Sequence, residues 1–310
     1  QGGAVGYLIG EENRGLSYMF HMMNEARIMV ASGAATLALA GFQYSLNYAR
    51  ERAQGRLPSC KDPHSPPVSI VEHADVRRML LTQKAIAEGG RAMLYHAARL
   101  ADRMMAAHTR GDTRGYDAYD DKLGFLTPVL KAFLTELGYE AANHGVQVYG
   151  GHGFIKEWGM EQIVRDTRIS TLYEGTTGIQ SLDLLGRKVM MSQGKMLKNF
   201  TKVIHEFCEE NGDNAELKEF TGPLAELNKE WGDISTKIGV RAMQNPDEVG
   251  GAAVDYLMYS GYVVLAYIWA RMAKTAMKKL AEGTLEKGFY TAKVQTARFY
   301  FQRVLPRTAG

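Results

Sequence analysis

The groups best suited to chemistry gather in one stretch, Gln147 to Gln180, which reads QVYGGHGFIKEWGMEQIVRDTRISTLYEGTTGIQ. Gly150, Gly151 and Gly153 crowd at the end of a helical pattern, where a missing Cβ lets backbone N–H groups come close to a ligand. A plain helix C-cap explains such a cluster equally well. Arg165, Asp166 and Arg168 form a charged knot that reads equally as a structural ion-pair network. Glu174 stands between Tyr173 and Gly175, beside the stretch Ile169 to Leu172. A carboxylate set against apolar neighbours holds a proton more readily than one in water, which suits a general base. On chemistry alone, a solvent-exposed loop glutamate is the simpler reading of Glu174. Neither Cys60 nor Cys208 belongs to a CxxC pair or stands at metal-ligand spacing, so no metal site is expected.

The elements that must position these residues are helices. Phe20, Met23, Arg27, Val30, Ala34, Leu37 and Gly41 recur at three and four, which predicts a helix over residues 16–56 with a small-residue face for close packing. LPSCKDPHSPPV follows, a loop that holds four of the eight prolines. Met79, Ile86, Met93 and Leu100 repeat at seven, as do Leu80, Ala87, Leu94 and Ala101, so the next helix carries two apolar seams and several neighbours. RGDTRGYDAYDDK reads as a polar loop, and a further helix is expected from about Leu126 to Val148. After a break at Gln193-Gly194, helical patterns recur near 195–210, 214–244, 252–282 and 286–305, the last with Tyr290, Val294, Ala297, Phe301 and Leu305 on one face. Ala4 to Ile9 is the single strand signal. The expected fold is all-α: two helical bundles behind a short N-terminal strand, divided as residues 1–13, 14–192 and 193–310.

Composition narrows the class. In 310 residues, 45% are hydrophobic and 23% charged, the balance of a globular chain and not of a disordered one. The net charge of +3 is scattered, so no nucleic-acid partner is demanded. Two cysteines make no disulfide framework and point to a reducing compartment. The longest apolar run, Tyr256 to Ala270, is shorter than a membrane span and holds four tyrosines, which predicts a core helix and no spanning segment. The other aromatics beyond residue 193, such as Phe299 and Phe301, also stand at helical spacing and read as core. Lys274, Lys278 and Lys279 read as a solvated face. The chain opens on Gln and is expected to be a piece of a longer protein.

The ordered set QVYGG, RD and YEGT, together with ERAQGR upstream and MNEAR after GEENRGL, resembles the acyl-CoA dehydrogenase superfamily over residues 4–190. The later helices DYLMYSGYVVLAYIWARMAK and GFYTAKVQTARFYFQRVLP resemble the extra C-terminal domain of a larger bacterial subgroup that includes methylmercaptopropionyl-CoA dehydrogenases. The resemblance implies a C-terminal part preceded by a helical domain and a β-domain, of which residues 4–9 would be the last strand. It also implies FAD as cofactor, an acyl-CoA substrate, an electron acceptor such as an electron-transfer flavoprotein, a homodimer or homotetramer, and a bacterial cytoplasm or mitochondrial matrix.

Glu174 in YEGT would then be the base that takes the Cα proton. Some relatives place the base just before the arginine of the early helix, but that position is Ala26 here, and Glu25 would point off another face. By the same resemblance Arg52, Gln147, Gly150, Gly151 and Thr176 would bind the cofactor, while Tyr173, Gly175 and Arg27 would line the substrate. Arg27 reads equally as half of a helix-to-helix ion pair. The chain departs from the pattern in three places: ERAQGR lacks a Phe and is one residue short, Gly178 stands where many relatives have Gln, and Ala74 follows His73 where Gln is common. Relatives with other chemistry, acyl-CoA oxidases or alkylation-response flavoproteins among them, and a purely assembling helical fragment are the alternative readings.

Overall fold

The computed structural model describes residues 2–309, with every side chain among them except that of His21. Three long helices make the frame: α1, Gly15–Glu51; α2, Ala74–Thr109; and α3, Thr113–Tyr149. At 1.5 Å per residue each runs roughly 55 Å. Both seams of α2 are used, since Met79, Ile86, Met93, Leu100, Leu80, Ala87 and Leu94 are buried and only Ala101 is half-exposed. The small face of α1 does what its composition implies: a Cβ on Gly138 of α3 would stand 3.0 Å from the Ala34 carbonyl oxygen, so the two backbones meet where neither has bulk. The proline-rich loop is tied at its base, where Ile70 N donates to Arg52 O at 2.8 Å and Gln54 N to Val68 O at 2.9 Å.

Two local expectations are corrected. Residues 4–9 form no strand; Val5, Tyr7 and Ile9 are 83%, 89% and 85% exposed, and among the described residues no other strand offers them a hydrogen-bond ladder. A strand is held by its neighbours, so its apolar sequence alone does not build one. The polar segment 110–122 is not a loop beyond Asp112. Its carboxylate accepts from Gly115 N at 2.9 Å and starts α3, so the following polar residues are solvated helix turns.

Short elements follow: α4, Gly151–Phe154; α5, Met160–Arg168; and α6, Thr177–Leu182, which widens into a π-helical stretch, Asp183–Met190. The break at Gln193 and Gly194 is present, both with positive φ, 53° and 75°. Beyond it run α7, Lys195–Glu210; α8, Lys218–Ala242; α9, Asp247–Ala281; and α10, Lys287–Phe299, continued to Ala309 by π and 3-10 turns.

The later aromatics are core, as their spacing implied: Tyr256, Tyr259, Tyr262, Tyr267, Trp269 and Phe301 are buried, and Phe299 is half-buried. Trp269 donates Nε1–H to Ala85 O at 3.2 Å, in space that exists because Gly89 has no Cβ. The two sets of helices therefore share one apolar core. By length and composition both α1 and α9 reach membrane-spanning size, more than the apolar run alone implied. In α9, 61% of that window is buried in the bundle, the position of a core helix.

The last turns are clamped to α3. Arg307 makes a bidentate pair with Glu140, 2.8 Å on each arm, and His144 Nε2 stands 3.4 Å from the same carboxylate. Burial pushes the Glu140 carboxyl up, but the His144 and Arg307 groups beside it outweigh burial and hold it at about 2. A carboxyl held below its ordinary range contributes stability that is complete above about pH 4.5 and is lost as the pH falls toward about 2. Arg307→Gln should lower stability by about 1 kcal/mol at neutral pH, a half-exposed pair being worth little more. Thermal melts of the two proteins should converge as the pH is lowered through that window. A constant gap would show that the pair is not what Arg307 contributes.

Candidate active site

The chain from Ile169 to Thr177 turns a corner that the backbone does not favour. A 3-10 turn, Ile169–Thr171, leads to Glu174 with φ 57° and Gly175 with φ 92°. A non-glycine residue in the left-handed region costs on the order of 1 kcal/mol and persists only where neighbours fix it. Here they do. Gln180, fully buried, donates Nε2–H to the Glu174 carbonyl at 2.9 Å, and Lys131 donates to the Gly175 carbonyl at 2.6 Å. Thr176 caps α6 by accepting from Ile179 N at 3.4 Å, and Thr177 donates its hydroxyl to Glu136. A Cβ at Gly175 would lie 2.6 Å from Gln180 Nε2, so this position requires glycine on both counts. The Glu174 side chain itself is half-exposed and makes no hydrogen bond or ion pair within the described residues.

Lys131 is the residue that sequence reading missed. It is 0% exposed, and burial, only partly offset by the Glu136 and Glu174 charges and reinforced by Arg27, brings its ammonium down to about 8. A lone lysine within LTPVLKAFLTEL was the available signal, because a buried charge on an apolar face requires a partner.

Arg27 takes the ion-pair role: its NH1 is 3.0 Å from Asp183 Oδ2, with both side chains about 5% exposed. That pair joins α1 to the π-helical stretch and sets charge near Lys131. Glu25 is exposed, on a different face from buried Arg27, and Ala26 offers no carboxylate. The charged knot forms no ion pair among the described residues; Asp166 accepts from Gln162 at 2.7 Å and Arg168 lies over the Tyr139 ring.

Arg52, Gln147, Gly150 and Gly151 line one cleft of about 650 Å³, formed where α1 and α3 end. Gly150 has φ 60°, and added Cβ atoms on Gly150 or Gly151 would meet nothing within 4 Å, so their backbone faces open space. One wall is aromatic: Tyr48 stacks on Tyr149 at 4.1 Å, and Tyr48 Oη lies 2.9 Å from His152 Nδ1. Thr176 is not in this cleft. It stands with Tyr173, Glu174 and Gly175 at the corner, and Arg27 is buried beneath.

The arrangement of the helices is shared with solved structures. The chain superimposes on the Caenorhabditis elegans enzyme ACDH-11 in complex with C11-CoA with a TM-score of 0.76, at 19% identity over 95% of this chain and 45% of that one. With a Bacillus anthracis acyl-CoA dehydrogenase complexed with FAD the TM-score is 0.71, at 21% identity over 96% and 49%. These likenesses concern the fold.

Residues 13–190 match the family model described as acyl-CoA dehydrogenase, C-terminal domain, and residues 200–310 that described as acetyl-CoA dehydrogenase C-terminal like. The chain belongs to the acyl-CoA dehydrogenase family. It is 37% identical to a 3-methylmercaptopropionyl-CoA dehydrogenase of Ruegeria pomeroyi, over 97% of this chain and 50% of that protein. It is 34% identical to a broad-specificity linear acyl-CoA dehydrogenase of Mycobacterium tuberculosis, over 98% and 51%. The chain thus spans about half the length of the curated relatives it matches.

Proposed function

We propose that this chain is the C-terminal half of a flavin-dependent acyl-CoA dehydrogenase, in which Glu174 takes the Cα proton of an acyl-CoA thioester. The observation that carries the reading is the corner: a strained backbone, braced at two successive carbonyls, presents an unpaired carboxylate to solvent. Strain held by a buried lysine and a buried glutamine serves the placement of that one side chain. When bound, FAD supplies the acceptor for the Cβ hydride. The cleft fits its phosphate and adenine portion: Arg52 brings an exposed guanidinium, Gly150 and Gly151 bring accessible backbone, and Gln147 brings an amide. Thr176 keeps its hydroxyl proton free to donate, since its oxygen is engaged as an acceptor. Tyr173 and Gly175 flank the thioester, and Arg27 holds the helix beneath them through Asp183.

In this reading residues 14–192 carry the site and residues 193–310 are an accessory bundle. The same reading takes an electron-transfer flavoprotein as acceptor and a homodimer or homotetramer as the assembly, and the two free cysteines suit a reducing bacterial cytoplasm.

The test uses the complete enzyme under anaerobic conditions with saturated acyl-CoA thioesters from short to long chain. At least one should bleach the flavin absorbance and yield the trans-2-enoyl thioester. Failure of the whole series to reduce the flavin sinks the assignment.

A further inference from the structure

A second cleft, of about 590 Å³, opens among α2, α7, α9 and α10 and shares no lining residue with the glycine-edged cleft or the Glu174 corner. Four cations, Arg99, Arg271, Lys274 and Lys293, point to it and no carboxylate lines it. Lys293 is answered by Glu88 at 2.8 Å, which also holds Lys84 at 3.0 Å. Among the described residues Arg99, Arg271 and Lys274 have no carboxylate at ion-pair distance. Arg271 is nevertheless fixed, by a 3.2 Å hydrogen bond to His96 Nδ1 and by the face of the Tyr267 ring. His96 reports the field: burial first, then Arg271, Arg99, Arg103 and Lys122, bring its imidazole down to about 4, with no carboxylate acting against them. Like charges gathered this way repel one another until an anion joins them.

The rim is aromatic. Tyr95 is 64% exposed and Phe289 54% exposed, large rings left in solvent at the mouth of a positively charged cavity. Lys293 lies over the Phe289 ring and Arg91 over the Tyr95 ring, but a bare anion would use the cations alone and leave the exposed part of both rings without a contact. A ligand that carries both phosphate and a flat base uses both, by charge-assisted bonds to guanidinium and by stacking. The volume lies within the range of small-molecule sites.

We propose that this cleft binds a phosphate-bearing nucleotide at a site separate from the catalytic one, built jointly by α2 and the helices after residue 193.

The experiment is calorimetric titration of the chain with ADP, with pyrophosphate and adenosine as the anion-only and base-only probes. ADP should bind at least about tenfold more tightly than either part, since each contact class is worth a factor of that order. Lys274→Gln and Arg99→Gln change exposed side chains and leave the fold intact by circular dichroism; each should weaken ADP about tenfold, as should Tyr95→Ala. Arg52→Gln, in the other cleft, should remove at most the heat that belongs to that cleft and leave the Lys274-dependent binding of ADP in place. The proposal is overturned if ADP gives no saturable heat, if pyrophosphate binds as tightly as ADP, or if Arg52→Gln removes binding while Lys274→Gln does not. Because the readout is binding alone, it stands or falls independently of the dehydrogenase assay.

Discussion

In the complete enzyme Glu174→Gln slows flavin reduction by acyl-CoA by about 10²–10⁴-fold, the usual cost of losing a general base. The substitution keeps side-chain length and leaves the braces untouched, because Gln180 and Lys131 bind the backbone carbonyls of residues 174 and 175 and not the carboxylate. Flavin affinity and melting temperature should therefore stay near wild type. Rescue by a neighbour is blocked on two sides. Ala26 has no acid, and Glu136, the other carboxylate whose charge reaches Lys131, is occupied by the Thr177 hydroxyl. Glu136→Gln should accordingly cost far less. Stopped-flow absorbance of the flavin reads the rate directly, and reduction by the Glu174→Gln enzyme at close to the wild-type rate ends the assignment of Glu174 as base.

Lys131→Met tests whether the brace matters. The side chains have similar length, so the change removes mainly the bond to the Gly175 carbonyl and the buried charge. Loss of that bond frees a strained turn, and a misplacement of about 1 Å can cost on the order of 10²-fold. We expect kcat to fall about 10–100-fold with KM little changed, because the base moves while the acyl-binding surface stays. Unchanged kcat would reduce Lys131 to a packing residue.

The same variant has a stability signature of definite sign. In the fold the Lys131 ammonium loses its proton at about 8, against an ordinary value of 10.5. The unfolded chain then binds the proton more tightly, so stability rises with pH between those two values, and the full cost of burying the charge is present below about 8. Wild-type melting temperature should gain on that of the Met variant across this window. The comparison cancels tyrosines and cysteines common to both proteins.

The distribution of legible and illegible features follows from the range over which each is decided. Helix positions in α2 and α7–α10, the apolar seams of α2, the Gln193-Gly194 break and the burial of Tyr256 to Trp269 depend on periodicity within a few turns, and the sequence alone determined them. The ordered QVYGG and YEGT motifs did the same for family membership, which the match over residues 13–190 bears out. The strand at residues 4–9 failed because its stability resides in a partner strand, and the polar segment after Asp112 failed because solvated helix and loop have one composition.

Only the tertiary structure decided which distant groups meet. Lys131 and Gly175 are 44 residues apart and Arg27 and Asp183 are 156 apart, and local periodicity is blind to such partners. It also decided that Arg52 shares a cleft with Gly150 while Thr176 does not, that the helices after residue 193 share one core with those before it, and that four cations close on one cavity. Helix period selects which face is buried. Which faces oppose one another depends on the packing of whole helices, where a missing Cβ at Gly138 or Gly89 sets how closely two elements approach and so what their side chains can reach.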